Sequence, residues 1–130
     1  MIILGLRTDK PEAELYLYDG EEQLASFKWQ AHLKLAETLN SQIEEILNKS
    51  SISYGKLGGI AIYKGPGSFT GLRIGMAAAN ALAYAGQIPI AARSGDDWLK
   101  QAIKDLSAGR NDKIAAPEYG TPPRVTQPKK

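Results

Sequence analysis

The segment Gly65–Gly75, GPGSFTGLRIG, constrains the fold of this chain more than any other stretch. It follows an apolar run, Gly58–Tyr63, that predicts a strand, and it opens an alanine-rich run that predicts a helix over about Thr70–Ala85. Glycine permits a positive φ and the close approach of another group, while Pro66 fixes its own φ. The amides of the first helical turn are then expected at a helix N-terminus, where unpaired N–H groups and the helix dipole favour an anion.

The sequence alone leaves two interpretations of this loop open. The first is a tight turn into the helix with Ser68 or Thr70 as N-cap. The second is a nucleotide-binding enzyme that uses Gly65–Gly71 as a phosphate cradle. A Walker A loop is excluded, because no Lys-Ser or Lys-Thr pair follows the last glycine. A dinucleotide fingerprint is disfavoured, because the chain has only one strand–helix–strand unit of this kind and it begins about halfway along.

The same eleven residues, with the strand before them and the helix after them, resemble the signature of the TsaB (YeaZ) family. That family supplies the accessory subunit for bacterial synthesis of threonylcarbamoyladenosine on tRNA. The resemblance extends from Met1 to about Ala108, and the ending PEYGTPPRVTQPKK is similar to the family's C-terminal end. The residues that carry the signature here are Gly65, Pro66, Gly67, Ser68, Phe69, Thr70, Gly71, Arg73 and Gly75.

Hydrophobic periodicity and turn residues predict the remaining elements. We expect strands at Ile2–Leu6, Ala13–Tyr18, Leu24–Trp29, Gly58–Tyr63 and Ile88–Ala91, and helices at Gln30–Lys49, Thr70–Ala85 and from Asp96, as cap, to Leu106. Read with the resemblance, three antiparallel strands followed by alternating helices and strands imply an α/β fold, the ribonuclease-H-like single lobe of the actin/sugar-kinase-like ATPase fold. Full-length relatives carry two such lobes, and this chain has room for one.

Length and charge divide the chain into two expected parts, a lobe over 1–108 and a Pro-rich basic tail over 109–130. The 130 residues with 43% hydrophobic content suffice for one modest core. The lobe holds 11 basic and 12 acidic residues, whereas the tail holds five and two, so the net charge of +2 comes from the tail. For the tail, disorder and docking through Tyr119 and Val125 both stay open. The absence of cysteine and of a membrane-span pattern favours the cytoplasm.

The Thr70–Ala85 helix is apolar on nearly every side, which is typical of a helix buried on more than one face. Neighbouring helices of the same lobe or a partner could cover the second face. The resemblance implies pairing with a TsaD-like catalytic subunit through the first two helices. We expect a homodimer when the chain is alone, and a homodimer built on the same helices with no TsaD role is a further alternative. The resemblance also raises a TsaE-like ATPase as a further partner, with tRNA contacted only indirectly. The expected interface residues are Leu35, Leu39, Ile43, Leu72, Gly75, Met76, Ala79 and Leu82.

The ionisable residues give no catalytic or metal constellation. His32 is the only histidine and has no second ligand at helical spacing, and Ser68 has no nucleophile-elbow pattern around it. The family commonly shows Asp-Thr at the end of the first strand, where this sequence has Arg7-Thr8, with Asp9 next. We therefore expect a scaffold without catalytic residues, metal or cofactor that supports the tRNA modification. The phosphate-cradle enzyme is the alternative.

Overall fold

The structure, a computed structural model, describes residues 1–118 of the chain. Within this range the elements are β1 (Ile2–Arg7), β2 (Glu12–Asp19), β3 (Glu22–Gln30), α1 (Leu35–Lys49), β4 (Leu57–Tyr63), α2 (Phe69–Gly86), β5 (Ile90–Arg93) and α3 (Trp98–Ser107). None of these helices combines the length and the apolar character that a membrane crossing requires.

The five strands form one sheet in the order β3-β2-β1-β4-β5. β1 pairs antiparallel with β2, and β2 pairs antiparallel with β3. On its other side β1 runs parallel to β4, which runs parallel to β5. The predicted order of elements is therefore confirmed. Because β1, β4 and β5 are parallel, their carboxyl ends meet at one edge of the sheet, which is where open α/β sheets bind their ligands.

Helices cover both faces of this sheet, so the core has two layers. Leu4 and Leu6 of β1 pack in the layer under α1 and α2, whereas Ile3 packs in the layer under α3. Side chains alternate between the faces of a strand, and all three of these residues are fully buried. The near-continuous apolar sequence of β1 follows from this burial on both sides.

The first helix begins later than the sequence predicted. The periodic run suggested a start at Gln30, but β3 extends through that residue and α1 begins at Leu35. Between them lies a 3₁₀ turn, His32–Lys34, and His32 has a φ of 46°. A positive φ at a non-glycine residue is incompatible with a right-handed helix, so the helix cannot reach back to the strand.

The last strand also begins later than predicted, at Ile90 instead of Ile88. The amide of Ile88 donates to the carbonyl of Ala83 at 3.0 Å, and Gln87 adopts the left-handed conformation. These two residues therefore complete the C-terminal cap of α2 before the strand starts. A smaller difference concerns α3, whose N-cap is Asp97 and not Asp96.

After α3 the described chain turns at Gly109 and returns along the open edge of β5 to the loop that follows β4. The amide of Asp112 donates to the carbonyl of Ile90 at 2.8 Å, and the amide of Glu118 donates to the carbonyl of Lys64 at 2.6 Å. The part of the predicted tail that includes Tyr119 and Val125 lies outside the described residues.

Candidate functional site: the glycine loop and the outer face of the second helix

The glycine loop joins the carboxyl end of β4 to the start of α2. Ser68 is the N-cap of the helix: its Oγ accepts from the amide of Gly71 at 3.3 Å. The amide of Ser68 donates to the carbonyl of Asp9 at 3.0 Å, and the hydroxyl of Tyr63 donates to the carbonyl of Pro66 at 2.9 Å. The loop is thus held by the ends of β1 and β4, and the first interpretation, a capped turn with Ser68 as N-cap, describes its geometry.

Two glycines of the signature are required because α2 packs against the end of β1. A Cβ on Gly71 would overlap the carbonyl oxygen of Thr8, and a Cβ on Gly75 would overlap Oγ1 of the same threonine. That hydroxyl donates to the carbonyl of Gly71 at 2.8 Å, and Thr8 is buried. Gly67 is restricted in the same way by the side chain of Asp9. The glycine spacing therefore matches the contacts of Thr8 and Asp9.

This packing bears directly on the phosphate-cradle alternative. An anion site at the start of α2 would use the amides of the first turn. The amide of Ser68 already has the carbonyl of Asp9, and the amide of Gly71 has Oγ of Ser68. In addition, the backbone of Glu118 lies against Gly65: a Cβ on Gly65 would overlap the carbonyl oxygen of Glu118. These contacts favour the capped turn over the cradle.

A charged network surrounds the end of β1 on the face covered by α3. Nε of Arg7 donates to a carboxylate oxygen of Asp9 at 2.9 Å, and the guanidinium lies 4.0 Å from the ring centre of Tyr63. Burial opposes the charge of Arg7, but the hydrogen bond and the charge of Asp9 outweigh it and raise the pKa of the guanidinium. Arg7, where the resemblance leads us to expect aspartate, therefore forms an ion pair with the carboxylate two residues on.

The neighbouring carboxylate, Glu14, belongs to the same network. It accepts from the hydroxyl of Tyr16 and from Nζ of Lys10, the latter at 3.2 Å. Burial opposes ionisation of Glu14, but these hydrogen bonds outweigh it and lower its pKa. Burial and the bond to Glu14 raise the pKa of Tyr16. Both shifts move away from neutral pH, whereas a general acid or base works best with a pKa near the pH at which it operates.

The described residues contain no group of three His, Cys, Asp or Glu side chains that could hold a metal ion. His32 lies exposed in the turn between β3 and α1. Residues Ser68, Phe69, Thr70 and Arg73 of the signature are exposed, whereas Gly65 and Gly75 are buried. The signature thus has an inner side that packs on β1 and an outer side that faces solvent.

The structure places most of the expected interface residues inside the chain's own core. Seven of them are buried against the sheet or its neighbouring helices, and Leu82 is partly exposed; the seven are Leu35, Leu39, Ile43, Leu72, Gly75, Met76 and Ala79. Their periodicity identified the faces of α1 and α2 that contact the sheet. A partner that binds these helices must therefore contact their other sides.

The side of α2 that faces solvent is also largely apolar. Two large aromatic residues flank it, Phe69 with 54% of its surface exposed and Tyr84 with 87%. Between them lie small residues at four-residue spacing and one arginine, whose guanidinium sits 5.3 Å from the ring centre of Phe69. We call this surface the outer face of α2; its residues are Phe69, Arg73, Ala77, Ala81, Tyr84 and Ala85. The alanine spacing was visible in the sequence, but which of the two apolar sides met the sheet was not.

Comparison with known proteins identifies related chains. Residues 29–95, just over half of the chain, match the family model of TsaD, tRNA N6-adenosine threonylcarbamoyltransferase. The tRNA threonylcarbamoyladenosine biosynthesis protein TsaB of Haemophilus influenzae is 31% identical over 96 residues, which are 73% of this chain and 39% of that protein. The tRNA N6-adenosine threonylcarbamoyltransferase of Geotalea uraniireducens is 41% identical over 61 residues, 47% of this chain and 18% of that protein.

Solved structures agree with these relatives. YeaZ from Pseudomonas aeruginosa superposes with a TM-score of 0.67 and 27% identity over 72% of this chain and 43% of its own. RuvC of Thermus thermophilus, at 10% identity and a TM-score of 0.54 over 92% of this chain and 85% of its own, shares the fold alone.

The predicted fold class is confirmed, because both neighbours have the ribonuclease-H-like, actin-like ATPase fold. The chain spans less than half the length of the TsaB and YeaZ proteins that it matches. The signature loop, the family-model match and these neighbours together show that the chain belongs to the TsaB (YeaZ) family.

Proposed function

We propose that this protein is a non-catalytic scaffold subunit that pairs with a TsaD-like catalytic subunit in threonylcarbamoyladenosine modification of tRNA. The H. influenzae relative is described as a biosynthesis protein for this nucleoside, which supports the pathway. The observation that carries the pairing is the outer face of α2, an apolar helix side that the described part of the chain leaves exposed.

The chemistry of the outer face suits a helix of another subunit. Ala77, Ala81 and Ala85 repeat every four residues, so a second helix can approach the backbone of α2 closely along this line. Phe69 lies at the N-terminal end of the line and Tyr84 lies beside its last two alanines, and aromatic residues are the common anchors of protein interfaces. The adjacent helix α1 also has exposed polar residues, Glu37, Asn40 and Glu44, and interfaces of this kind usually have a polar rim around an apolar centre.

The non-catalytic assignment rests on the state of the ionisable groups. In the network at the end of β1 each charge has a partner: Arg7 pairs with Asp9, and Lys10 pairs with Glu14. The pKa shifts of Arg7, Glu14 and Tyr16 all stabilise the protonation state expected at neutral pH. In this proposal the TsaD-like subunit supplies the reacting groups, and tRNA contacts this chain only indirectly. A TsaE-like ATPase and a cytoplasmic location remain parts of the same proposal.

The test is light scattering after size exclusion, on this chain alone and mixed with the TsaD-like protein of the same genome. We expect a one-to-one species, and we expect Ala81→Arg to weaken it by about tenfold or more, because a charge would be buried at the centre of the contact. Ala108→Arg is the matched control, since Ala108 is an exposed alanine at the end of α3. A complex that resists Ala81→Arg would remove the outer face from the proposal, and failure of the wild-type chain to form one would overturn the pairing itself.

A further inference from the structure

Within the described residues, the two edge strands of the sheet are protected from pairing with another strand in different ways. β3 forms one edge and carries Lys28 together with an irregular register opposite Leu17 and Tyr18, features that discourage pairing with another strand. β5, the other edge, is a short strand of sequence IAAR whose first three residues are buried. A strand of this kind needs a separate cover for its outward backbone groups.

Residues 111–118, which we call the clasp, provide that cover. The amide of Ile90 donates to Oδ1 of Asn111 at 3.1 Å, and its carbonyl accepts from the amide of Asp112 at 2.8 Å. The amide of Ala92 donates to Oδ2 of Asp112 at 2.8 Å. The same carboxylate oxygen accepts from Nη1 of Arg93 at 2.7 Å. Two side chains and one amide of the clasp thus take the place of a neighbouring strand.

The clasp then continues to α2 and to the glycine loop. Asn80 of α2 holds the backbone of Ala115 with both ends of its amide group, at 3.0 Å and 2.8 Å. Farther on, the amide of Glu118 donates to the carbonyl of Lys64, and the carbonyl of Glu118 packs against Gly65. One eight-residue segment therefore ties the β5 edge, α2 and the start of the glycine loop together.

The attachment of the clasp is polar and shallow. Ala115 is its one buried residue, while Ile114 is 75% exposed. Gly109, with a φ of +90°, lies between α3 and the clasp and caps the helix: its amide donates to the carbonyl of Leu106 at 3.0 Å. Segments held by hydrogen bonds with little buried apolar surface open at a lower free energy than the core of the same protein.

We propose that residues 111–118 are a protective clasp: they open as a unit while the core stays folded, and their closed state keeps the β5 edge from pairing with the β5 edge of a second copy. Asn80 is the latch, because its amide group makes two of the contacts and lies on a core helix. This inference is independent of the pairing with a TsaD-like subunit, since the outer face of α2 takes no part in it.

Hydrogen exchange on the full chain tests the opening. In Asn80→Ala and in Asp112→Ala we expect the amides of Ile90 and Ala92 to exchange about tenfold faster, while the amides of Leu4 and Ile62 at the centre of the sheet keep their rates. Asn48→Ala, at an exposed position of α1, is the matched control. Unchanged rates at Ile90 and Ala92, or an equal rise at Leu4 and Ile62, would overturn the clasp as a separate unit.

Two further measurements separate opening from its consequence. Trypsin cleavage after Lys113 should accelerate in Asn80→Ala, because a protease needs an extended segment. Light scattering should show that Asn80→Ala forms species larger than those of the parent chain, in an amount that increases with concentration, whereas Asn48→Ala should match the parent chain. Opening without self-association would refute the protective role. Ala81→Arg should lose pairing with the TsaD-like protein while its Ile90 amide exchanges at the parent rate. Such a result would show that the pairing and the clasp can fail independently of each other.

Discussion

At the scale of single residues, the contact between Thr8 and the two glycines of α2 explains the most distinctive part of the sequence. A helix interior prefers alanine to glycine by about 1 kcal/mol, so Gly71 and Gly75 weaken α2 unless something else requires them. The requirement is Thr8, whose carbonyl and hydroxyl oxygens occupy the space that a Cβ would take. The glycines of the signature are therefore required by the close packing of α2 against β1, in addition to any role of the signature on the outer side of the loop.

Replacement of Gly75 by alanine tests this explanation. We expect Gly75→Ala to reduce the free energy of unfolding by about 1–3 kcal/mol, because the overlap with Oγ1 of Thr8 outweighs the gain in helix propensity. Gly55→Ala, at an exposed glycine with no atom near its Cβ position, should change it by less than about 0.5 kcal/mol. Chemical denaturation measures both. The double variant Thr8→Ala/Gly75→Ala should lose less than the sum of the two single changes; simple additivity would contradict the contact.

The carboxylate of Glu14 makes a prediction about acid stability. Its pKa is lower in the folded protein than the ordinary value of 4.5. A group of this kind contributes stability above its unfolded pKa and loses that contribution as the pH falls through the folded pKa. We therefore expect Glu14→Gln to be less stable than the parent at pH 6 and the difference to shrink below about pH 4.5, measured by urea denaturation across this range. A difference that is constant with pH would show that the loss is steric and unrelated to charge.

At the scale of elements, apolar periodicity was sufficient for the number, order and type of strands and helices, because each strand and helix has one face that the core must bury. It was insufficient for the start of α1, because a positive φ is uncommon at any non-glycine residue and hydrophobic periodicity gives no sign of the one at His32. It was also insufficient for α2. Both sides of that helix are rich in alanine and other apolar residues, so the pattern did not show which side faces the sheet; Met76 and Ala79, which the resemblance placed at a partner interface, are buried in the chain's own core.

The clasp is a further part that the sequence did not predict. Its contacts depend on Asn111 and Asp112, residue types that are typical of loops and that here act on the backbone of a distant strand. Such pairings carry no periodicity, and their sequence separation of about twenty residues cannot be inferred from local pattern. The polar Asn80 in a largely apolar helix was the available signal, and its partner, the backbone of Ala115, has no side-chain signature.

At the scale of the whole molecule, the carboxyl edge of the parallel strands is where a nucleotide would bind if the phosphate-cradle alternative held. Asp9, Ser68 and the backbone of Glu118 occupy the inner side of this edge. We expect Mg-ATP to leave the midpoint of thermal unfolding unchanged, because a ligand stabilises only a fold that it binds. Differential scanning fluorimetry measures this, with inorganic phosphate as a control for ionic effects. A midpoint that rises with Mg-ATP concentration and not with phosphate would establish a nucleotide site and restore the enzyme alternative. If the rise were seen only in Asn80→Ala, the clasp would be the element that closes that site.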